Sequence, residues 1–220
     1  SSDLATSANV SAGFSISKYT GDGGDDTIGH GLSKAPELVI IKRLTDDGYH
    51  WQVGPGVDWT DYMWLDTDGA SADADTYWND TAPTSSVVHI GGFSTNNDSA
   101  KVYMMYCWHS VEGYSKVGSY TGNASTNGAF VYTGFRVGFL MFKKINGSYG
   151  WVIQDTKRDS VNPIAPAVLA DIDTKEGDTS PIGSGGGVDF LSNGFKHRDT
   201  GDGGNGSGDS YLYYAIAEQP

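Results

Sequence analysis

Residues 13–21 read GFSISKYTG and residues 113–122 read GYSKVGSYTG, so the chain contains one pattern twice. Four further blocks recur in the same order in the two halves. The paired blocks are residues 37–43 with 137–144, 49–53 with 149–153, 92–93 with 194–195, and 103–108 with 211–216. An ordered series of matching blocks indicates an internal repeat, which constrains the architecture before any single motif does.

The repeat predicts two halves, at residues 13–112 and 113–220, that follow a short N-terminal segment. Residues 1–12 are small and polar, and we predict an arm or linker there. No proline-rich or charged linker separates the halves, so we expect them to pack together.

Strand signals dominate the chain. Residues 38–41 and 139–142 are continuously apolar, as strands buried on both faces are. Residues 46–48 and 146–148 place an Asp or Asn before Gly between apolar runs, which is a hairpin signal. Only residues 164–170 have helical composition, and a proline interrupts them. We therefore predict an all-β fold, a β-sandwich or jelly-roll-like assembly of two internally repeated halves. The predicted strands are residues 14–19, 37–43, 49–53, 62–65, 86–90, 102–109, 114–120, 129–133, 137–145, 149–154, 188–191 and 211–217.

The net charge argues against several classes of partner, and the cysteine count excludes an intrachain disulfide. The chain has 220 residues and a formal net charge of −13. Because an acidic surface repels phosphate backbones and anionic lipids, we expect neither a nucleic acid nor a membrane as a partner. Cys107 is the only cysteine, so no intrachain disulfide forms, and its apolar neighbours predict a small buried side chain.

Aspartate clusters raise the question of calcium, which binds oxygen ligands in loops of this kind. None of the clusters has the spacing of an EF-hand loop, so we favour solvated turn residues and predict no metal and no cofactor, with calcium as the alternative. The clusters are Asp22, Asp25 and Asp26; Asp66, Asp68, Asp73 and Asp75; and Asp199, Asp202 and Asp209.

Catalytic patterns are missing from the sequence. The five histidines lack the spacing of a zinc site, and no G-x-S-x-G motif presents a nucleophilic serine. We therefore predict no catalytic residues and a protein that is not an enzyme. A carbohydrate-active enzyme stays an alternative, because the separation of two carboxylates does not show in a sequence.

Aromatic residues supply one candidate binding segment. Trp59, Tyr62, Trp64, Tyr77 and Trp78 lie within twenty residues of one another and alternate with Asp, Thr and Asn. Rings that stack on a sugar face, beside carboxylates that accept its hydroxyls, are typical of carbohydrate recognition. Packing in the core is the other interpretation and the one that ring burial in general favours.

A glycine-rich loop supplies the second candidate. By the pairing of Phe93 with Phe195, the loop before Tyr211 is six residues longer than the loop before Tyr103. We place this insert at residues 199–209 and expect it at an exposed loop tip. Its candidate binding residues are Asp199, Asp202, Asn205 and Asp209.

Several stretches together resemble a known family. The chain is similar to a domain of unknown function that recurs, often duplicated, in structural proteins of tailed bacteriophages, especially tail fibres of marine phages. The resemblance implies an all-β virion component and transfers no catalytic residues. It rests on AGFSISKYTG at residues 12–21, GHGL at 29–32, APELVIIK at 35–42, YCWHSVEGYSK at 106–116, FLSNGFK at 190–196 and YAIAEQP at 214–220.

The expected function follows from this resemblance. We expect a bacteriophage virion structural protein, exposed on the outside of the particle as a fibre or spike domain for host attachment. The alternative is a capsid-surface decoration or head-fibre protein that stabilises the shell. The expected partners are other virion proteins, two further copies of the chain in a homotrimer, and a glycan of the host surface.

Overall fold

The computed structural model describes residues 4–176 and 187–218, and within them the chain is almost wholly β. The antiparallel sheets are consistent with the predicted all-β sandwich. The first elements are β1 (Ala5–Asn9), β2 (Phe14–Thr20), β3 (Asp26–Gly29), β4 (Leu38–Arg43), β5 (Gln52–Gly54), β6 (Asp61–Trp64), β7 (Ala72–Asp73), α1 (Asp75–Trp78), β8 (Val87–Ile90) and β9 (Val102–Trp108). The remaining strands are β10 (Ser115–Thr121), β11 (Phe130–Tyr132), β12 (Val137–Lys144), β13 (Val152–Asp155), β14 (Val168–Leu169), β15 (Val188–Leu191), β16 (Gly194–His197) and β17 (Ser210–Ala217).

Each of the twelve predicted segments overlaps one of these strands. The strands outside the prediction are short or lack an apolar signal. β1 is exposed along its whole length, where the sequence predicts an arm or linker, and β7 and β14 have two residues each. Residues 164–170 form no helix; Ile164 instead makes a bridge with Val188.

The described residues divide into two compact units, residues 4–65 with 71–110, and residues 66–70 with 111–176 and 187–218. Across these ranges, no helix is long and apolar enough to span a membrane.

The first unit contains a seven-stranded antiparallel sheet in the order β1-β2-β9-β4-β5-β6-β7 and a two-stranded sheet, β3-β8. The hairpin between β4 and β5 forms as predicted, and Asp46 and Gly48 in its loop have φ of 68° and 85°. Side chains from both sheets form one core, which includes Tyr19, Ile41 and Val88.

The second unit contains a five-stranded sheet in the order β10-β17-β12-β13-β14 and a three-stranded sheet, β11-β16-β15. The hairpin between β12 and β13 likewise forms as predicted. Its core again draws on both sheets, with Leu140, Phe195 and Tyr211 all fully buried.

The two units share a strand order. β2-β9-β4-β5 in the first unit corresponds to β10-β17-β12-β13 in the second, and the pair β3-β8 corresponds to β11-β16. Register also places equivalent rings opposite each other, Tyr19 with Tyr103 and Tyr120 with Tyr211. The ring centroids in these stacked pairs lie 5.3 Å and 4.9 Å apart.

One predicted pairing does not fit this correspondence. Phe195 lies within β16, whereas Phe93 lies in the loop after β8, which is the strand that occupies the equivalent place. The blocks at residues 92–93 and 194–195 therefore do not stand on equivalent strands, although their Gly-Phe sequences match.

Candidate functional site

The candidate aromatic residues come from β6 and α1 of the first unit. Because side chains alternate along a strand, β6 directs Tyr62 and Trp64 to one face and the buried Met63 to the other. The single turn of α1 presents Tyr77 and Trp78, which are both buried. β6 and α1 thus supply four rings, of which Tyr77 and Trp78 are buried and the two on β6 are partly buried.

The rings contact one another in two groups, one of Tyr62, Trp64 and Tyr77 and the other of Trp59 and Trp78. Tyr62 stacks on Tyr77 with ring centroids 3.7 Å apart, and Trp64 meets Tyr77 edge-on at 5.4 Å. Tyr62 and Trp64 are themselves 4.8 Å apart. Trp59 meets Trp78 at 5.4 Å with the ring planes perpendicular. We call these five residues the ring cluster, and the structure brings together all the aromatic residues that the sequence nominated.

The members of the ring cluster differ in exposure. Trp78 is fully buried, and its ring lies so close to Gly54 that a Cβ there would approach it to 2.5 Å. Tyr77 is also buried, and burial together with a hydrogen bond that its hydroxyl donates to Tyr62 raises the pKa of its phenol. Trp59, Tyr62 and Trp64 are only partly buried. Two rings therefore belong to the core, and three are partly exposed.

Phe93 extends the ring cluster, and the sequence did not nominate it. Its ring lies 4.8 Å from Tyr77, and its side chain is 37% exposed. His50 adds a second neighbour, with its imidazole 5.0 Å from the Trp64 ring. The predicted pairing of Phe93 with Phe195 gave no sign of this position. Both residues follow a glycine, but Phe195 lies in a strand and Phe93 lies in a loop.

Carboxylates order the turn that carries Trp59. Asp58 accepts hydrogen bonds from the backbone N–H and the hydroxyl of Thr60, at 2.8 Å and 2.7 Å. These bonds, the backbone bond first, lower the pKa of Asp58 and keep it ionised. Asp61 accepts the Val57 N–H at 3.0 Å. Partly exposed rings bordered by ionised carboxylates can stack on a saccharide face and accept its hydroxyls.

The second candidate segment is organised around Asn205, which is fully buried. Its amide nitrogen donates to the Asp199 and Ser125 carbonyls, at 2.7 Å and 2.9 Å, and to the Asn123 side chain at 3.2 Å. Its amide oxygen accepts the Asn123 N–H at 3.0 Å. The side chain of Asn205 therefore joins the loop after β10 to the loop before β17.

Asn97 occupies the equivalent position in the first unit. It is also fully buried, and its side chain donates to Asp22 at 2.9 Å and to the Gly24 carbonyl. Its oxygen accepts the Asp22 N–H at 3.2 Å. Asn97 precedes Tyr103 by the same interval that separates Asn205 from Tyr211. The loop at residues 199–209 therefore has no insertion between its asparagine and β17, and the six extra residues that the pairing of Phe93 with Phe195 gives all precede Asn205.

The aspartates of this loop differ in burial and in their partners. Asp209 makes an ion pair with Lys144 at 2.7 Å, and Asp199 is buried. Asp202 is exposed, and its carbonyl accepts the Tyr211 hydroxyl at 2.6 Å. In the part of the chain that the structure describes, no three His, Cys, Asp or Glu side chains are grouped so as to hold a metal ion.

A pocket of about 470 Å³ in the second unit was not predicted. Its lining comes from residues 67–68, 148–150 and 169–172, which are far apart in the sequence. Asp68 and Asp171 contribute carboxylates, and Lys143 is buried behind Asp68. Among the candidate clusters in the sequence, only the aspartates at residues 66–75 contribute a residue to this pocket.

The family model described as "Domain of unknown function (DUF7483)" matches residues 2–220. The chain belongs to this family. The match spans both units and both candidate segments, so the family domain includes the whole described fold. No curated protein and no solved structure matches the chain.

Proposed function

We propose that this DUF7483 domain is a bacteriophage virion structural domain, exposed on the outside of the particle as part of a fibre or spike. In this proposal the ring cluster contacts a glycan of the host surface during attachment. The sequence resemblance to phage structural proteins motivates the virion context, and the ring cluster motivates the ligand class.

The observation that carries the proposal is the partial exposure of Trp59, Tyr62 and Trp64 over a buried ring layer. A ring that rests on buried neighbours loses little conformational freedom when a ligand covers it, which favours binding. Single ring–sugar contacts are weak, so attachment would depend on several copies acting together. A homotrimer of the fibre type would supply these copies, and we propose that oligomeric state.

The test is binding of the folded chain to host cells and to arrayed host glycans. Trp64→Ala removes a partly exposed ring and should reduce binding, whereas Trp64→Phe should retain a large part of it. Trp108→Ala is the matched control, since Trp108 is partly buried on β9 outside the ring cluster. Trp78→Ala is unsuitable because Trp78 is fully buried. Equal binding by Trp64→Ala and the unaltered chain, both folded, would contradict the proposal.

We also propose that the two units arose by duplication of one β unit. The shared strand order, the opposed tyrosine pairs and the equivalent asparagines support this origin. A duplicated scaffold allows one unit to diverge in its loops while the sheets keep their packing.

A second candidate function, decoration of the capsid surface, is favoured by β11 of the second unit. Phe130 and Tyr132 are 47% and 59% exposed and flank the buried Val131. An outward-facing aromatic pair of this kind suits contact with another virion protein. Replacing both residues by serine should abolish incorporation into particles if this surface is the attachment point, and should leave incorporation unchanged if it is not.

A further inference from the structure

The pocket of the second unit combines several kinds of surface. Thr67 and Ser148 contribute hydroxyls, and Leu169 and Ile172 contribute an apolar wall. Tyr149 adds a partly buried ring. A volume of about 470 Å³ is within the usual range for sites that bind small molecules. The lining therefore offers both an apolar face and hydrogen-bonding groups to one ligand.

The buried Lys143 binds one residue of the pocket lining, Asp68. Its side chain is fully buried, and its ammonium donates to the Asp68 and Lys144 carbonyls at 3.2 Å and 2.8 Å. The Asp68 carbonyl also accepts the Tyr149 N–H at 2.8 Å. The Asp68 carbonyl therefore joins two segments of the lining, and the Lys143 ammonium binds the same carbonyl.

The positive charge of Lys143 partly offsets the negative charges of Asp68 and Asp171. Burial lowers the pKa of Lys143 to about 8, while the carboxylates of Asp171 and Asp68 act in the opposite direction. Lys143 is therefore mostly charged at neutral pH. The two aspartates of the lining repel an anionic ligand, and the nearby ammonium offsets part of their attraction for a cation.

Asp171 is held in place at the pocket wall. Its Oδ1 accepts the Trp151 N–H at 2.8 Å. A Cβ at Gly150 would meet the Asp171 carboxylate at 2.8 Å, so glycine there leaves the carboxylate room. Both features fix a hydrogen-bond acceptor before any ligand arrives, which reduces the entropy cost of binding.

We propose that this pocket binds one neutral saccharide unit, with Asp68 and Asp171 accepting its hydroxyl groups and Leu169 and Ile172 covering its apolar face. This site lies in the second unit and does not depend on the ring cluster. A saccharide fits because it presents hydroxyls on its rim and C–H groups on its faces, which is the combination that the lining complements.

The test is a titration of the full, isotope-labelled chain, followed by amide chemical shifts in two-dimensional NMR. The neutral probes are the methyl glycosides of glucose, galactose and mannose, and spermidine is the cationic probe. We expect at least one glycoside to cause saturable shifts at Tyr149 and Gly150. Asp171→Asn keeps an oxygen for the Trp151 N–H and should weaken that binding about tenfold, since charge-assisted hydrogen bonds are the stronger class.

The controls separate this site from general charge effects and from the ring cluster. Glu112→Gln removes one exposed acid of the second unit outside the pocket lining and should leave the affinity unchanged. Trp64→Ala should also leave it unchanged, whatever its effect on host binding. Saturable shifts from spermidine but from no glycoside, or no saturable shift at Tyr149 and Gly150 with any glycoside, would overturn the proposal.

Discussion

Removal of the Asn205 side chain should destabilise the second unit strongly. Asn205→Ala removes the two amide N–H donors, which three oxygens share, and the amide oxygen that accepts the Asn123 N–H. At about 1 kcal/mol for each of these three groups, the expected loss of unfolding free energy is about 3 kcal/mol. Such a loss is large against the total stability of about 5–15 kcal/mol for an ordinary domain.

Urea unfolding at pH 7 measures this loss, and hydrogen–deuterium exchange assigns it to a unit. For an m value of about 2 kcal/mol/M, the midpoint should fall by about 1.5 M. Asn97→Ala should produce the equivalent effect in the first unit, where its amide joins the corresponding loops. Asn193→Ala is the control, because Asn193 is exposed and its carbonyl keeps its backbone bonds. A loss below about 1 kcal/mol for Asn205→Ala, equal to that of the control, would refute the reasoning.

Three further predictions concern stability and symmetry. Burial lowers the pKa of His30, whose Nδ1 accepts a backbone N–H. The unfolded chain therefore takes up the proton first, and the free energy of unfolding should fall as the pH is lowered through about 6.5. His30→Gln should remove this effect in unfolding measurements at pH 5 and pH 7. Gly122→Ala should cost about 2 kcal/mol or more in urea unfolding, because its Cβ would lie 2.3 Å from the Gly206 carbonyl oxygen. In an experimental structure, superposition of the two units should bring Lys42 over Lys143; if they land on different strands, the duplication is wrong.

The strands were predictable because their signal is local. Apolar runs such as residues 38–41 and 139–142 identify central strands on their own, and the Asx-Gly loops identify the hairpins that follow them. β1 was not predictable, because its residues are small, polar and exposed, and only its pairing with β2 makes it a strand. The two-residue strands β7 and β14 are likewise defined by their partners.

The candidate sites likewise include some features that are predictable from the sequence and others that are not. The ring cluster was predictable because its five residues are close in the sequence, although their exposure was not. The role of Asn205 was not predictable, since many asparagines in this chain occupy exposed turns and only burial distinguishes this one. The pocket was concealed because its lining comes from three distant segments. Pairing of β12, β13 and β14 brings two of them together, and the hydrogen bond from the Tyr149 N–H to the Asp68 carbonyl adds the third.

The central proposal places this domain on the outside of a phage particle. The most direct measurement is cryo-electron microscopy of purified particles of a phage whose genome encodes the chain, with mass spectrometry of the same particles. The proposal predicts peptides of this chain in the particles and density for its two β units projecting from the surface at a fibre or spike. Absence of the chain from infectious particles, or its location inside the shell, would contradict the proposal.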